Sequence, residues 1–496
     1  MNDSLFDIVA NVKYPGGEFF SQGNCRLGVA MRRHKHLEVR HPAFEGRIGV
    51  ARRDITPPVG IYARMWGNAQ HDVAEGIHRP LTATVMAVQP LDAGRPLVLA
   101  SLDLGWWRSP KDERFLREPV LQAFSLEPAQ LMIHLVHTHA GPSTSLQDAQ
   151  KPGGEKIRPY LLAVRKALLD AICEALASAD RATLTWNTGR CPLACHRDQP
   201  NPDGPGTVVG YDPMAEADDA LLVGRVTDSS GAIRATLVNY ACHPTTLGGA
   251  NRLISPDYVG AMREVVEQAT HDRPCLFLNG AAGDLAPRQQ YTDRLDVADQ
   301  NGRQLGHAAL AALADMLPHQ QGLSFQHVEE SGAKLGCWGL VAAVPNRIAN
   351  AQCYDIPLPL RKFERVDDLK QQLAHCDDRA LAERLERKIQ LSQAYQDAGS
   401  TTLSIWCWSL GDALWIGLPA EAHSPLQQEL RRRFADQAVI VMNLVNGSQG
   451  YLPPQGDYQK KTYQCSVSLF QPGAHETVLQ ACIERIEQIL QPGEKA

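Results

Sequence analysis

Short β-rich runs alternate with longer helix-period segments along most of this chain, and that alternation restricts the possible folds more than any other feature. "LTATVMAVQPL", "PLVLASLDLGWW" and "LMIHLVHTH" are compact apolar runs bounded by turn residues, as strands are. "KIRPYLLAVRKALLDAICEALASA" (156–179), "QLGHAALAALADML" and "HETVLQACIERIEQIL" place apolar residues every three or four positions, the period of one helix face. "SPDYVGAMREVVEQA" adds a helix with Ser255 as its expected cap and Pro256 at its first position. Residues 403–419, "LSIWCWSLGDALWIGLP", read as a β-hairpin turning at Gly411-Asp412. The alternation predicts an α/β protein with a large mixed β-sheet core flanked by helices. Residues 361–398 are charge-rich and helical, and are expected as a helical-hairpin insertion whose charges form a solvated face. Residues 1–45 are expected as an extension and 46–496 as one domain carrying that insertion.

Composition narrows the function classes. With 44% hydrophobic and 21% charged residues, the 496-residue chain has the balance of a protein with a large core. Its net charge of -6, without a basic block, argues against nucleic acid or an acidic membrane surface as a partner. No window approaches about 18 consecutive apolar residues, so no membrane span is expected. "MNDSLFDIVANVKYPGG" lacks the charged and apolar regions of an export signal. The twelve cysteines are scattered, with no spacing that suggests a disulfide framework or a four-thiolate zinc site. A cytoplasmic protein with reduced thiols is expected, and Cys191 and Cys195 of "CPLAC" read as loop cysteines.

The chemistry concentrates at apolar-run ends. "LMIHLVHTHAGPS" (131–143) holds three histidines, and Gly141-Pro142 closes the run. On a strand, His137 and His139 would share a face, with His134 on the other; His134 is assigned to packing. A lone His-x-His pair is more often packed than metal-binding. A second run ends at His243 in "NYACHPTT", a third at Glu421 in "GLPAEA", and a fourth leads to Tyr451 in "NGSQGYLPP". Two histidines, a carboxylate and an open position are the donor set of a catalytic zinc site. Each group taken singly is equally an ordinary loop residue.

Together, "GVARRDITPPVG", "GIHRPLTAT", "LASLDL", "HTHAGP", "RCPLA", "NYACHPTT", "NGAAGDLAP", "GLPAEA" and "GYLPP" followed by "YQKKTYQ" resemble the N-terminal catalytic domain of the neutral/alkaline ceramidase family, from about Gly46 to Leu490. The resemblance implies one Zn²⁺ per chain, held by His137, His243, Glu421 and Tyr451. It implies that His139 faces the water to be activated, that Arg190 holds the carbonyl side of the substrate, and that Tyr463 is a further active-site tyrosine. Asp284, in "AAGDLAP", is expected to orient a ligand histidine, cap a helix or fix the loop, and these alternatives stay open.

This sequence also departs from the family pattern. Ala286 replaces a serine, Cys195 a tyrosine and Arg288 an asparagine, and only 33 residues follow Tyr463, where family members carry a β-sandwich domain. Arg64, Arg190 and Arg288 are expected around the pocket, and guanidiniums suit a carboxylate better than alkyl chains. The expected activity is hydrolysis of an amide or lactam C–N bond in a small, polar, anionic molecule by metal-activated water. A ceramidase or N-acyl-lipid amidase, an ester or lactone hydrolase, and a metal-free binding protein are the competing readings. A serine hydrolase is poorer still, because the chain has no GxSxG.

Overall fold

The computed structural model describes residues 37–491, apart from 93 and 396. Its largest sheet has eight strands: β1 (Ala43–Asp54), β2 (Thr82–Gln89), β3 (Leu97–Leu102), β4 (Leu131–Leu135), β5 (Asp180–Arg190), β6 (Ala220–Asp228), β7 (Ile233–Tyr240) and β8 (Cys275–Asn279). They lie in the order β8-β7-β6-β5-β1-β2-β3-β4. The edge pairs β7/β8 and β3/β4 are parallel and the remaining pairs antiparallel. β1 starts inside the stretch expected as an extension; that stretch lies outside the described residues as far as residue 36.

A second sheet, in the order β9-β10-β11-β12, comprises β9 (Ala349–Pro359), β10 (Ser400–Leu410), β11 (Ala413–Gly417) and β12 (Ala438–Met442). β10 and β11 are the expected hairpin, with Gly411 at φ +60° in its turn. Alternation along these strands builds the core. Trp406, Trp408 and Trp415 face the first sheet, where Trp415 meets Trp186 edge-on at 5.3 Å between ring centroids. Ile405, Cys407, Leu414 and Ile416 face the other way.

Helices cover the outer faces. α1 (Pro110–Phe124) and α2 (Ile157–Ala177) pack on the β2–β4 side of the first sheet. Ile157, Leu161, Val164, Leu168, Ile172 and Ala175 form the buried stripe of α2. α3 (Tyr258–Ala269) and α4 (Leu295–Ala314) pack on the β6–β8 side. The cap of α3 is Asp257, which accepts from the amide of Tyr258, whereas Ser255 was expected there. Ser255 Oγ instead accepts from the Asp257 amide, so the helix starts two residues late. α5 (Val366–Ala374) and α6 (Arg379–Tyr395) form the expected helical hairpin around Leu369, Leu385 and Ile389. α7 (Ser424–Arg433) and α8 (Ala474–Leu490) cover the second sheet. Among the described residues, no helix is long and apolar enough to cross a membrane.

The sheet's twist positions the site. Along the ladder, β4 runs opposite to β7 and β8. Seven steps of 20–25° accumulate to roughly 140–175° between the two edges. The edge strands are thereby turned until their C-terminal ends point the same way. The edges then touch on one face: Ser101 Oγ donates to the Phe277 carbonyl at 2.6 Å, and His134 Nε2 accepts from the Asn279 amide at 3.1 Å. His134 is thus the packed histidine expected, and burial pushes it down to about 3.

Candidate metal centre

β4 stops at Leu135, so His137 and His139 stand on the loop beyond it and not on the strand. His137 takes a left-handed backbone at φ +77°. That conformation is costly for a residue with a side chain, and such strain gathers at functional sites. The two rings meet by this turn, with their Nε2 atoms 3.4 Å apart. The expectation that they face one place holds, although the strand period expected to produce it does not.

His243 follows β7. Its backbone amide donates to the Leu285 carbonyl, and its Nδ1 donates to the carbonyls of Ala282 at 2.6 Å and Leu285 at 3.2 Å. Glu421 and Tyr451 come from loops after β11 and β12. A two-residue parallel ladder sets Glu421 opposite Tyr451. The segment before Tyr451 is anchored to the edge of β4, where Asn446 bonds to Ile133 and Leu131 through its side chain.

These loops bring the donors together. Glu421 Oε2 lies 3.2 Å from His137 Nε2 and 3.0 Å from His243 Nε2. The Tyr451 hydroxyl is 3.5 Å from His243 Nε2. Donor atoms of His137, His139 and His243 all fall within 4.8 Å of one another. Both His137 and His243 use Nδ1 to donate to a carbonyl, that of Gly105 for His137. Each therefore presents a lone pair at Nε2 unless it takes up a second proton. Burial and then the Arg197 charge push His243 down to about 4. Burial opposes the Glu421 charge, and its carboxyl is held well below the usual range by positive charge on the side of His137 and His243, which a proton or a cation there supplies. Lone pairs converging on a carboxylate oxygen repel unless a cation lies between them, so this donor set fits a metal ion.

His139 differs from its neighbours. Its ring lies between Trp66 and Trp106, at 4.9 and 4.8 Å between centroids. Its Nδ1 is buried without a hydrogen-bond partner among the described residues. Metal-bound histidines almost always donate through their other nitrogen; His137 and His243 do, and His139 does not. Burial, then His137 and His243, push its pKa well below the ordinary value.

The other expected residues divide. Tyr463 begins a short helix, partly exposed and edge-on to Tyr451 at 6.1 Å. Asp284 accepts from the backbone amide and hydroxyl of Ser424, both at 2.6 Å, at the start of α7. It fastens a helix end, and backbone carbonyls do the orienting of the histidines. Arg190, expected to hold the carbonyl side of the substrate, ends the extended β5 with its side chain 80% exposed and paired with Asp219. Arg64 is buried but committed to the Gly67 carbonyl and to Glu383 of α6. Arg288 is exposed and lies over the Tyr211 ring at 5.6 Å. Ala286 and Cys195, two departures from the family pattern, are direct partners across a short antiparallel ladder. Two smaller side chains thus replace larger ones at a single contact.

Arg197 escaped the sequence reading, where its only local signal is the short "HRD" string. It is 4% exposed, bonds the Gly283 carbonyl through Nε and Nη2, and lies over the Tyr451 ring at 5.5 Å. Burial and then Glu421 push the Tyr451 phenol up, and the Arg197 guanidinium pulls it back. Arg197→Met removes two of the three donors to the Gly283 carbonyl, leaving Gln464 Nε2 at 3.2 Å, and leaves Tyr451 unsupported. The expected result is about 1–3 kcal/mol less stability and roughly 10–100-fold weaker metal binding, read by denaturant titration and by competition with a chelator.

No family model matches the sequence. Neutral ceramidase of Pseudomonas aeruginosa is 24% identical over 233 residues, a match covering 43% of this chain and 32% of that protein. The chain thus spans about a third of the length of that curated relative. The crystal structure of neutral ceramidase from Pseudomonas aeruginosa superposes with a TM-score of 0.63 at 18% identity, covering 92% of this chain and 76% of that one. A ceramidase complexed with C2 gives 0.63 at 17% identity, with coverages of 92% and 77%.

Proposed function

From a chain that is neutral-ceramidase-like in sequence and fold, we propose a zinc-dependent amidohydrolase acting on a small polar amide or lactam. His137, His243, Glu421 and Tyr451 would hold the metal. The observation that carries this reading is the convergence of two Nδ1-anchored histidines on one carboxylate oxygen, at 3.2 and 3.0 Å. Zinc, when bound, supplies a Lewis acid for the scissile carbonyl and acidifies water to a pKa of about 7.

The protein's own groups supply the rest. His139 Nε2 takes the proton from the attacking water and returns it to the leaving nitrogen. Water oxygen bonds to the carbonyl carbon, the C–N bond breaks, and an acid and an amine leave. Trp66 and Trp106 hold the His139 ring and keep bulk water from it. Tyr463, edge-on to Tyr451, would donate to the oxyanion. Arg197, held by the Gly283 carbonyl, supports Tyr451 from behind. Asp284 acts on the site only through the loop and helix it ties together.

The test measures metal content and turnover together. Purified protein is assayed on short carboxylated N-acyl amides, lactams, matched esters and long-chain ceramide in mild detergent. The same panel is repeated after chelation and after zinc is restored. Amide or lactam turnover that disappears on chelation and returns with one equivalent of zinc is the expected outcome. Full activity in metal-free protein, or turnover confined to esters, overturns the reading; faster cleavage of ceramide replaces the small substrate with a lipid.

A further inference from the structure

The loop between β3 and α1 carries a cation that has no ion-pair partner among the described residues. Arg108 lies over the face of Trp106, 4.8 Å from guanidinium carbon to ring centroid. The same indole contacts His137 and His139, at 5.5 and 4.8 Å between centroids. A single side chain therefore separates the guanidinium from the candidate metal centre. The loop is held in place at successive residues. The Gly105 carbonyl accepts from His137, the Trp106 carbonyl from Thr144, and the Trp107 amide donates to Ser448 Oγ.

The hairpin insertion supplies the surrounding wall. The sequence reading expected its charges to be solvated, but part of that face is docked. Glu383 of α6 pairs with Arg64 and Arg387, Arg379 with Asp72, and Glu386 with Lys151. Asp148 accepts from Ser143. Asp148, with only a hydroxyl partner, and Glu383, whose Oε2 has no hydrogen bond, act on Arg108 at longer range, but no carboxylate forms an ion pair with Arg108 among the described residues. Burial, and then the charge of Arg387, hold the Arg108 pKa down at about 10. An unpaired, half-buried guanidinium beside a reaction centre is held there at a cost that a bound anion would offset.

We propose that Arg108, laid on Trp106 between the histidine cluster and the α5–α6 hairpin, is the recognition residue for a carboxylate carried by the substrate. The inference rests on the hydrolase reading of the same site and names its substrate class. It adds to Arg190, Arg64 and Arg288, the expected cations, one that lies against the indole beside the histidines and has no ion-pair partner among the described residues. Arg forks a carboxylate through two N–H groups, and stacking on an indole fixes the plane of that fork.

Binding tests this without turnover. Zinc-loaded protein is titrated by calorimetry with dicarboxylates from malonate to adipate and with chain-matched monocarboxylates. At least one dicarboxylate should bind roughly 10–100-fold more tightly than its monocarboxylate partner, the gain of one charge-assisted contact. Arg108→Gln should erase that gain, bringing dicarboxylate and monocarboxylate to similar affinities, and Arg108→Lys should keep part of it. No gain with any chain length, or a gain that survives Arg108→Gln, overturns the proposal. Repeating the titration on zinc-free protein separates the two readings. Arg108-dependent selectivity without zinc uptake keeps this proposal and removes the hydrolase, and zinc uptake without that selectivity does the reverse.

Discussion

His243→Ala is expected to release the metal and to lower hydrolysis by roughly 10³–10⁵-fold, the equivalent of several kcal/mol of lost charge stabilisation in the transition state. The reason is local. His243 Nε2 faces the same Glu421 oxygen as His137, and its Nδ1 is tied to the loop after β8. Alanine removes a donor and also the strut that aligns it. The fold should survive, because the Ala282 carbonyl keeps the Leu285 amide and the Leu285 carbonyl keeps the backbone amide of residue 243, so the lost side-chain hydrogen bonds cost at most about 1–3 kcal/mol. That is below the usual margin of about 5–15 kcal/mol. Metal analysis, circular dichroism and kinetics on the same preparation check it. Full metal occupancy with normal turnover in His243→Ala would place the centre elsewhere.

His139→Ala should separate metal from catalysis. The Nδ1 of His139 lacks the carbonyl partner that fixes His137 and His243, and the proposed ligand set is complete without it. Zinc should therefore stay at one per chain while kcat falls roughly 10²–10⁴-fold, the range for a placed acid/base. KM should move little. Loss of zinc with the activity would instead make His139 a ligand. The flanking Trp66 and Trp106 predict a cavity in the variant, and added imidazole restoring part of the rate would further support proton transfer as the lost step.

Several site residues were legible because their signals are local. Each donor lies just beyond an apolar run, and the run announces the strand: "LMIHL" before His137, "ATLVNY" before His243, "ALWIG" before Glu421. The hairpin of residues 400–417 was legible for the same reason, since alternation and a Gly-Asp turn are both short-range properties. Arg190, Arg197 and Arg108 were not separable in this way. All three are arginines in or beside loops, and a sequence does not record whether such a side chain reaches Asp219, Tyr451 or the face of Trp106. Long flexible stems let neighbouring arginines take opposite directions, and packing alone selects among them.

What the sequence by itself determined is the inventory: α/β class, which runs are strands, the helical hairpin, and a set of histidine, glutamate and tyrosine donors at run ends. Local periodicity and turn chemistry suffice for these, since each is settled within about ten residues. The meeting of the donors was decided only by tertiary structure. β4 and β7 run in opposite senses along the ladder, so a flat sheet would send His137 and His243 to opposite ends. Cumulative right-handed strand twist carries one edge of the sheet round to the other, the second sheet packs on the face so formed, and its loops deliver Glu421 and Tyr451 to the same point. Twist arises from steric preferences repeated at every residue, and its sum over eight strands belongs to the assembled sheet and to no single segment of the chain.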